Sequence, residues 1–366
     1  MKSIRRVLIV QPYGLGDALF ITPVLRALKT IPTVESVDLL LGSRTEEVFK
    51  NNPHVDQIFS VNKDKWHAEG KGAMARESFS LWQNLKSRYD LLIDFSLQRE
   101  YGLYGQYFLF IPERIGFDFN GRGTFLTKSL FLPDGYDGAH VVDYYVELLK
   151  LIGLEVEAPF LEFYLSREDR ERAGEILREK SISNSNRWVA VAPGGGESWG
   201  KDAGFKRWPP RFFARSLKLL KERMDYEFVL ILGSKAEREL ARELEKNSEV
   251  PVVNLSGETA LGVSAAILEK AALLLANDGG LVHLANALKV PLVALYGPVD
   301  PVVYGPFPAS QIAAPVTKAG LPCRPCYFRF RYNSACPDRE CLEALSPEEV
   351  FSVLDRQSFW SALCPA

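Results

Sequence analysis

One aspartate stands where the chain is able to present a carboxylate to a bound molecule. Asp17 ends the segment Gln11-Pro-Tyr-Gly14-Leu-Gly16-Asp17, which directly follows a short apolar run that predicts a first strand. Gly14 and Gly16 allow a tight turn and leave backbone amides facing outward at a helix start, where an anion or a hydroxylic substrate is able to approach. At such a position Asp17 is either a helix cap, which stabilises by about 1 kcal/mol, or a general base.

The same loop argues against a dinucleotide-binding enzyme. Gly14 and Gly16 begin a G-x-G-x-x-G pattern, but its third glycine falls on Leu19. The second predicted strand ends without a convincing acid for a ribose hydroxyl, so a nicotinamide oxidoreductase is disfavoured.

A glycine-rich loop ends a strand in the second half of the chain. Pro193-Gly194-Gly195-Gly196 follows an apolar run, and Lys206 and Trp208 come shortly after it. Glycines at a strand end permit close backbone approach to a phosphate, and a lysine neutralises it as a point charge. A flexible loop beside a core tryptophan explains the same residues equally well.

A third loop has the most specific pattern. The buried run that ends at Ala276 leads into Asn277-Asp278-Gly279-Gly280 and then into a helix of small residues that carries His283. The free amides at such a helix start lie beside a space of pyrophosphate size. Gly297-Pro298 ends the next strand and borders the same space. His283 by itself is more often a structural histidine than a ligand contact.

One further acid follows a strand of the second half. Gly233-Ser-Lys-Ala-Glu237 places a carboxylate just inside a helix, where it is able to accept hydrogen bonds from ribose hydroxyls. A first-turn acid that complements the helix dipole is the alternative.

Short β-branched runs alternate with helical patterns along the chain, which predicts parallel sheets covered by helices. We therefore predict an α/β protein with two facing, doubly wound Rossmann-like domains and a cleft between them, because such sheets bind ligands at the carboxyl ends of their strands. The polar stretch 167–187 contains the boundary. The predicted segments are 1–170, 186–345 with a cysteine-containing tail, and a C-terminal helix in 346–366 that packs back on the first domain. That helix is predicted from Pro347 to Leu363.

Composition excludes several classes of protein. Of 366 residues, 44 are basic and 46 acidic, so the formal charge of -2 gives no sign of a nucleic-acid partner. No window offers the 18 or more apolar residues of a membrane helix, and the apolar start is interrupted before any signal-peptide cleavage site. Five cysteines, none in the first 300 residues, favour a reducing cytoplasm over a secreted disulfide framework. A peripheral contact with the inner membrane stays open.

The tail after Pro315 has an unusual composition. It contains Cys323, Cys326, Cys336 and Cys341, of which the first two form a C-x-x-C pair. A structural zinc site, reduced structural thiols and a disulfide or redox role are all compatible with this spacing. Interleaved with aromatic residues are four arginines that suit either an anionic glycolipid surface or a solvated face, namely Arg324, Arg329, Arg331 and Arg339.

Taken jointly, the order of these loops resembles the heptosyltransferases, glycosyltransferase family 9, which have the two-domain GT-B arrangement. The resemblance is carried by Gly16-Asp17, Thr22-Pro23, Pro193-Gly194, Lys206-x-Trp208-Pro209, Gly233-x-x-x-Glu237, Asn277-Asp278-x-Gly280-x-x-His283 and Gly297-Pro298. It implies that Asp17 is the general base, that Lys206 contacts phosphate and that Glu237 binds the nucleotide ribose. The loop from Asp278 to His283 would hold the donor diphosphate. The expected substrate-binding residues are therefore Gly14, Gly16, Thr22, Gly194, Lys206, Glu237, Asp278, Gly279, Gly280 and His283.

The chain departs from the family pattern at one position. Gly279 stands where the family usually has Thr or Ser, so a hydroxyl donor to the phosphate is missing and only backbone amides remain. The sequence also lacks the D-x-D motif with which many sugar transferases hold a divalent ion. No cofactor is therefore expected in catalysis, and the charge of the leaving group would be stabilised by helix N-termini and Lys206.

The resemblance implies an inverting transfer of a heptose from ADP-heptose to a lipopolysaccharide inner-core acceptor. The alternatives are a family member that uses another nucleotide sugar for a surface glycan, and a protein that binds nucleotides or glycans without catalysis.

Overall fold

The protein folds into two units in a computed structural model that describes residues 4–62, 80–86, 88–183, 187–196, 200–309, 312–333 and 335–363. The first unit is Met1–Tyr164 and the second is Leu165–Ala366. The division precedes the polar stretch in which the sequence placed it. The charged helix Arg167–Glu179 therefore belongs to the second unit, where Arg170 pairs with Glu269 at 2.8 Å.

The first unit contains a six-stranded parallel sheet with the strand order β3-β2-β1-β4-β5-β6. Its strands are β1 (Arg6–Gln11), β2 (Ser36–Gly42), β3 (Gln57–Val61), β4 (Leu91–Asp94), β5 (Glu113–Asp118) and β6 (Lys128–Phe131). The order of the strands reverses between β1 and β4, which makes the ends of these two strands the switch point where ligands bind in such sheets.

The central strands form where the sequence has continuous apolar runs. Val7, Leu8, Ile9 and Val10 are at most 1% exposed, as expected for a strand covered by helices on both faces. The helices of this unit are α1 (Leu15–Phe20), α2 (Thr22–Lys29), α3 (Arg99–Tyr107) and α4 (Val141–Leu149). The prediction of parallel sheets covered by helices is confirmed.

Helix α4 ends at Leu149. The chain then tightens into a 3₁₀ turn over Lys150–Ile152 and closes at Gly153, whose φ is 73°. Glycine adopts this left-handed conformation without a steric penalty, so it terminates the helix.

The second unit repeats the topology in a second six-stranded parallel sheet of order β12-β11-β10-β7-β8-β9. Its strands are β7 (Trp188–Ala192), β8 (Phe228–Ile231), β9 (Val252–Asn254), β10 (Leu273–Asn277), β11 (Leu292–Tyr296) and β12 (Ala313–Thr317). Its helices are α5 (Arg167–Glu179), α6 (Pro210–Lys221), α7 (Arg238–Asn247), α8 (Leu261–Glu269), α9 (Gly280–Ala287), α10 (Pro301–Tyr304), α11 (Glu340–Glu343), α12 (Pro347–Leu354) and α13 (Ser358–Leu363). Its switch point lies between β7 and β10.

Two edge strands were absent from the prediction. In β6 only Leu130 is even half-buried, and β12 contains Pro315, which has no amide proton to donate. Both strands lie at the edge of a sheet, where such residues are tolerated because one side of the strand needs no partner. Hydrophobic patterning therefore gives no signal for them.

The C-terminal residues form two helices where one was predicted. Ser346 caps α12 by accepting the Glu349 amide at 3.2 Å, as the start signal indicated, but the helix ends at Leu354 and α13 begins at Ser358. Phe351, Phe359 and Trp360 are buried in the hydrophobic core of the second unit. These residues are thus part of that unit, whereas the sequence had them as a separate segment packed on the first domain.

Among the residues that the structure describes, no helix is both long enough and apolar enough to cross a bilayer.

Removing a side chain from the C-terminal helices tests whether they complete this core. Trp360 is 3% exposed and its ring meets that of Phe351 edge to face at 5.7 Å. We expect Trp360→Ala to lower the free energy of unfolding by about 3 kcal/mol, because it leaves a cavity. Phe328→Ala is the control, since Phe328 is 49% exposed. Equal melting temperatures for the two variants would show that α13 adds nothing to the core.

Candidate functional site

The end of β1 carries Asp17 into a partly exposed position at the switch point of the first sheet. Gly14 caps helix α1 and Asp17 is the third residue of its first turn. Asp17 accepts a hydrogen bond from the Gly14 amide at 3.2 Å through Oδ2. The cap interaction is therefore present, and it is compatible with a second role because the side chain is only partly buried.

Two phenols are close enough to Asp17 to respond to its charge. Burial raises the pKa of Tyr13 to about 12 and holds the pKa of Tyr145 well above its usual range, and the charge of Asp17 adds to both shifts. Tyr145 also accepts a hydrogen bond at 3.0 Å from the buried amide of Gln11, the last residue of β1. At neutral pH both phenols therefore remain protonated.

Tyr13 connects the β1 loop to the neighbouring strand end. Its hydroxyl donates to the backbone oxygen of Ser96 and accepts from the Gln98 side chain at 3.3 Å. Both partners follow β4, so the loops on the two sides of the switch point are joined directly.

A second acid at this edge did not enter the sequence prediction. Asp94 is the last residue of β4 and is 5% exposed, and its Oδ1 accepts the Ser96 amide at 2.8 Å. Burial raises its pKa to about 7, although the hydrogen bonds from Ser96 oppose the shift. An aspartate inside the apolar run 91–95 is the only sign of this acid in the sequence. Its position beside the central strand β1 comes from the structure.

Thr22 does not reach the surface, which corrects its expected role as a substrate contact. It is fully buried, and its hydroxyl donates to the Leu19 carbonyl at 2.8 Å and accepts the Glu162 amide at 3.1 Å. The residue fixes the junction between α1 and α2. A threonine next to a loop is not distinguishable from a ligand contact in sequence alone.

The switch point of the second sheet is organised by Asn277, the last residue of β10. Its side chain donates to the Pro193 carbonyl at 2.6 Å and accepts the Trp208 amide at 3.1 Å. Asn277 is 1% exposed, so both bonds form in the absence of competing water. They join the loop after β10 to the glycine-rich loop after β7 and to the segment of Trp208.

Glycines at this switch point have no room for a side chain. A Cβ atom on Gly279 would lie 2.6 Å from the backbone oxygen of Gly195, and one on Gly194 would lie 1.8 Å from Oε1 of Glu237. Gly195 has a φ of 75°, which favours glycine independently. The loops after β7 and β10 thus touch through their backbones, and only glycine permits this approach.

Glu237 bridges two loops at the same edge. It is 6% exposed, and its two carboxylate oxygens accept the amides of Gly196 and Ser234, each at 2.8 Å. Each oxygen has capacity for another donor. The predicted first-turn acid is therefore held rigidly beside the β7 loop.

Lys206 and Asp278 form a buried ion pair. Nζ lies 2.8 Å from Oδ2, and the two side chains are 10% and 6% exposed. Lys206 ends the 3₁₀ segment Gly200–Lys206 and Asp278 follows β10 directly. The lysine lies beside the loop after β10, and its ammonium group is already paired with a carboxylate.

Helix α9 begins at Gly280, directly after Gly279, and its first turn carries His283. His283 is 4% exposed. Since the first amides of a helix have no partner within it, this start provides donors for an anion. The structure therefore brings together Gly194, Lys206, Glu237, Asp278, Gly279, Gly280 and His283 in one unit.

The tail braces one side of this edge. The Arg324 guanidinium donates to the carbonyls of Gly297 and, at 3.0 Å, Val299. The amides of Cys326 and Tyr327 both donate to the Pro298 carbonyl at 3.0 Å. The loop after β11 is thus held by the tail, a contact for which the sequence has no signal.

The tail also reaches the segment that ends in Lys206. Arg339 donates to the Gly204 carbonyl at 2.7 Å, and the rings of Phe205 and Tyr332 lie 5.1 Å apart. Two of the four tail arginines therefore bind backbone oxygens of the protein. Arg324 and Arg339 are therefore not the solvated or lipid-facing side chains that the composition suggested.

The zinc hypothesis for the tail is not supported. Within the described ranges no group of three or more His, Cys, Asp and Glu side chains is placed to hold a metal ion. Cys323, Cys326, Cys336 and Cys341 are free thiols. Burial raises the pKa of the Cys341 thiol to about 11.

Two doubly wound units, each with its loops at a switch point, define a two-domain α/β glycosyltransferase of the GT-B class. A family model for glycosyltransferase family 9 (heptosyltransferase) matches residues 78–329. The match spans most of the chain, and the protein belongs to this family. The predicted fold class, family and enzyme class are confirmed.

Named relatives agree with this assignment. The chain is 26% identical over 378 residues to lipopolysaccharide heptosyltransferase 1 of Pseudomonas aeruginosa, covering 96% of this chain and 97% of the relative. The structure of E. coli ADP-heptose lipopolysaccharide heptosyltransferase II is similar with a TM-score of 0.70 and 21% identity, over 98% and 99% of the two chains. An E. coli heptosyltransferase with ADP-2-deoxy-2-fluoro heptose has a TM-score of 0.67 and 19% identity, over 96% and 100%.

The steric requirement at Gly194 is testable by adding one methyl group. Gly194→Ala places that carbon within 1.8 Å of Glu237, so the carboxylate must move and lose its amide partners. We expect the free energy of unfolding to fall by about 2 kcal/mol. Gly204→Ala is the matched control, because a Cβ there has no neighbour within 4 Å. Equal stability of both variants would contradict the close approach of the Glu237 carboxylate to Gly194.

The raised pKa of Asp94 predicts a pH-dependent stability. Between about pH 4 and pH 7 the folded state keeps a proton on Asp94 that the unfolded state releases, so this group's contribution to stability falls as pH rises through that window. We compare the free energies of unfolding of Asp94→Asn and the wild type at two pH values. The value for Asp94→Asn minus that for the wild type should be about 2 to 4 kcal/mol larger at pH 8 than at pH 4. Urea unfolding at both pH values measures this change. A constant difference between the two proteins would mean that Asp94 ionises normally.

Proposed function

We propose that this protein transfers a heptose from ADP-heptose to a hydroxyl of a lipopolysaccharide inner-core acceptor, with inversion at the anomeric carbon. Membership in the family carries the reaction class, and the names of the relatives above support the donor and acceptor. The single structural observation behind the donor site is the meeting of the β7, β8 and β10 loops around Glu237 and Gly279.

The second unit supplies the groups that an ADP moiety requires. Glu237 is buried and fixed by two amides, which leaves lone pairs on its oxygens for the hydroxyls of a ribose. The start of α9 offers backbone amides to the diphosphate. His283 in the first turn of this helix is the candidate for a further contact with the donor.

Lys206 is paired with Asp278, which directly follows β10, and this pairing sets how the lysine works. An arriving diphosphate has to share Lys206 with this carboxylate, so the backbone amides stabilise much of the developing charge. Removing Lys206 would leave Asp278 as an unpaired buried anion facing the diphosphate. We therefore expect Lys206→Ala to weaken ADP binding more than the loss of a single contact would.

The first unit supplies the base. Asp17 accepts the proton of the acceptor hydroxyl while the oxygen of that hydroxyl forms the bond to the anomeric carbon. The bond between that carbon and the phosphate oxygen breaks at the same time, and ADP leaves with the electron pair. The Gly14 amide donates to the Asp17 carboxylate and orients it.

A second donor is favoured by one observation. Gly279 lacks the hydroxyl that the family usually presents to the phosphate, and a side chain at this position would collide with Gly195. The diphosphate therefore receives only backbone amides from this position, which lowers discrimination on that side. A different nucleotide sugar is the alternative substrate, and a panel of nucleotide sugars with truncated core lipids, analysed by mass spectrometry, distinguishes the two.

We also propose that catalysis needs no metal ion and that the enzyme acts at the cytoplasmic face of the inner membrane. No D-x-D motif is present in the chain. Activity is expected to persist in a chelator, and strict dependence on magnesium or manganese would contradict the proposed leaving-group stabilisation.

The role of Asp17 is tested with Asp17→Asn. The amide oxygen of asparagine still accepts the Gly14 amide, so stability should change by about 1 kcal/mol at most, while turnover should fall roughly 100-fold or more. ADP affinity should stay within twofold of wild type. Melting temperature, ADP calorimetry and turnover are measured on the same protein preparation.

The first unit contains a matched control for this variant. Asp143 is also the third residue of a helix and accepts the His140 amide at 3.2 Å in the same capping geometry. Asp143→Asn should therefore reproduce any loss of capping without loss of turnover. Lys206→Ala and Glu237→Ala should show the opposite pattern to Asp17→Asn, with weakened ADP binding. Wild-type turnover in Asp17→Asn would reduce Asp17 to a helix cap and favour another base.

A further inference from the structure

Helix α3 ends in a cluster of exposed aromatic side chains, which we call the aromatic patch: Tyr107, Phe108 and Phe110. They are 56%, 51% and 65% exposed. Large apolar side chains exposed singly are ordinary, but three within four positions make the exposed surface of this short segment unusually apolar. Nothing in the catalytic proposal uses this surface.

The patch is held rigidly from below. Leu109 and Ile111, which alternate with the exposed residues, are 2% and 1% exposed and belong to the core of the first unit. Their amides donate to the carbonyls of Tyr104 at 3.0 Å and Gly105 at 2.9 Å. The exposed rings are therefore projected by a fixed backbone and do not collapse onto the core.

The backbone conformation of Phe110 is also costly. Its φ is 55°, in the left-handed region that bulky residues rarely adopt. Such strain usually persists where the surrounding structure enforces it for a function. Phe110 is the most exposed of the three residues, so packing inside the fold does not offset the energetic cost of its backbone conformation.

Positive charge lies beside the patch. The Lys86 ammonium is 5.9 Å from the centre of the Phe110 ring. Within the described part of the chain Lys86 is not paired with a carboxylate, and Glu113 is paired with Lys128 at 2.7 Å.

We propose that the aromatic patch binds the first unit to an anionic lipid surface. Aromatic rings are favoured at the level of lipid headgroups, and basic side chains close to them are attracted to anionic lipids. A second copy of the chain is a poorer occupant, because a twofold contact through this patch would bring the Lys86 ammonium groups of both copies together. The inference rests on the proposed function only in that a glycolipid acceptor makes a membrane contact useful.

Vesicle sedimentation tests the proposal without any transfer reaction. The full-length protein is mixed with vesicles of phosphatidylethanolamine and phosphatidylglycerol at a ratio of about 3 to 1, or with phosphatidylcholine alone. We expect at least fivefold more binding to the anionic vesicles, following the attraction of basic residues. The double variant Phe108→Ser/Phe110→Ser should lose this binding about tenfold or more, since it removes both central rings.

Phe131→Ser is the matched control, because Phe131 is 71% exposed but lies on the edge strand β6, outside the patch. It should bind like the wild type. Lys86→Gln should reduce binding to anionic vesicles and leave binding to neutral ones unchanged. Circular dichroism and melting temperature confirm that each variant is folded.

Three outcomes would overturn the proposal. They are a wild type that stays in the supernatant, a folded double variant that binds as well as the wild type, and a concentration-dependent dimer that the double variant abolishes. ADP affinity, measured in the same preparations, keeps this result separate from the proposed catalytic function. Loss of vesicle binding with normal ADP affinity would support the patch, and transfer to a delipidated acceptor should then be unchanged.

Discussion

The contact between the backbone of Gly195 and the α-carbon of Gly279 is the constraint on which the second unit depends. A Cβ atom on Gly279 would lie 2.6 Å from the Gly195 oxygen, so the loops after β7 and β10 come this close only because Gly279 has no side chain. Asn277 donates to the Pro193 carbonyl beside this approach, and Glu237 of the β8 loop accepts the Gly196 amide, so both side chains are fixed to the β7 loop. Helix α9 begins directly after Gly279. Backbone amides at such a helix start are suited to binding a phosphate.

The first unit places two acids at the same point of its topology. Asp17 is partly exposed at the start of α1, whereas burial raises the pKa of Asp94, at the end of the neighbouring strand, to about 7. The Tyr13 hydroxyl joins the loop after β1 to the loop after β4 through Ser96. Position relative to solvent therefore gives the two carboxyl groups different surroundings.

The tail illustrates how a segment without a recognisable pattern acquires a role. Arg324 and Arg339 end on the carbonyls of the β11 loop and of Gly204. Their charge suggested an anion or a membrane, but a guanidinium also satisfies orphan carbonyl groups at strand ends. Sequence composition does not distinguish these uses, because both require only an arginine near the surface. The four cysteines pose the same difficulty, since their spacing is compatible with a metal site and their positions do not form one.

The sequence by itself determined the parallel-sheet architecture, the central strands and the loops at both switch points, because continuous apolar runs and glycine-rich strand ends follow from local chemistry. It also carried the family, through the joint order of its motifs. The tertiary structure alone decided the rest. Burial turned Thr22 from a predicted substrate contact into an internal hydrogen-bonding residue and raised the pKa of Asp94. Edge strand β6 and the break between α12 and α13 also depended on neighbours distant in sequence. Such properties depend on which groups exclude water from one another, and one-dimensional patterns do not contain that information.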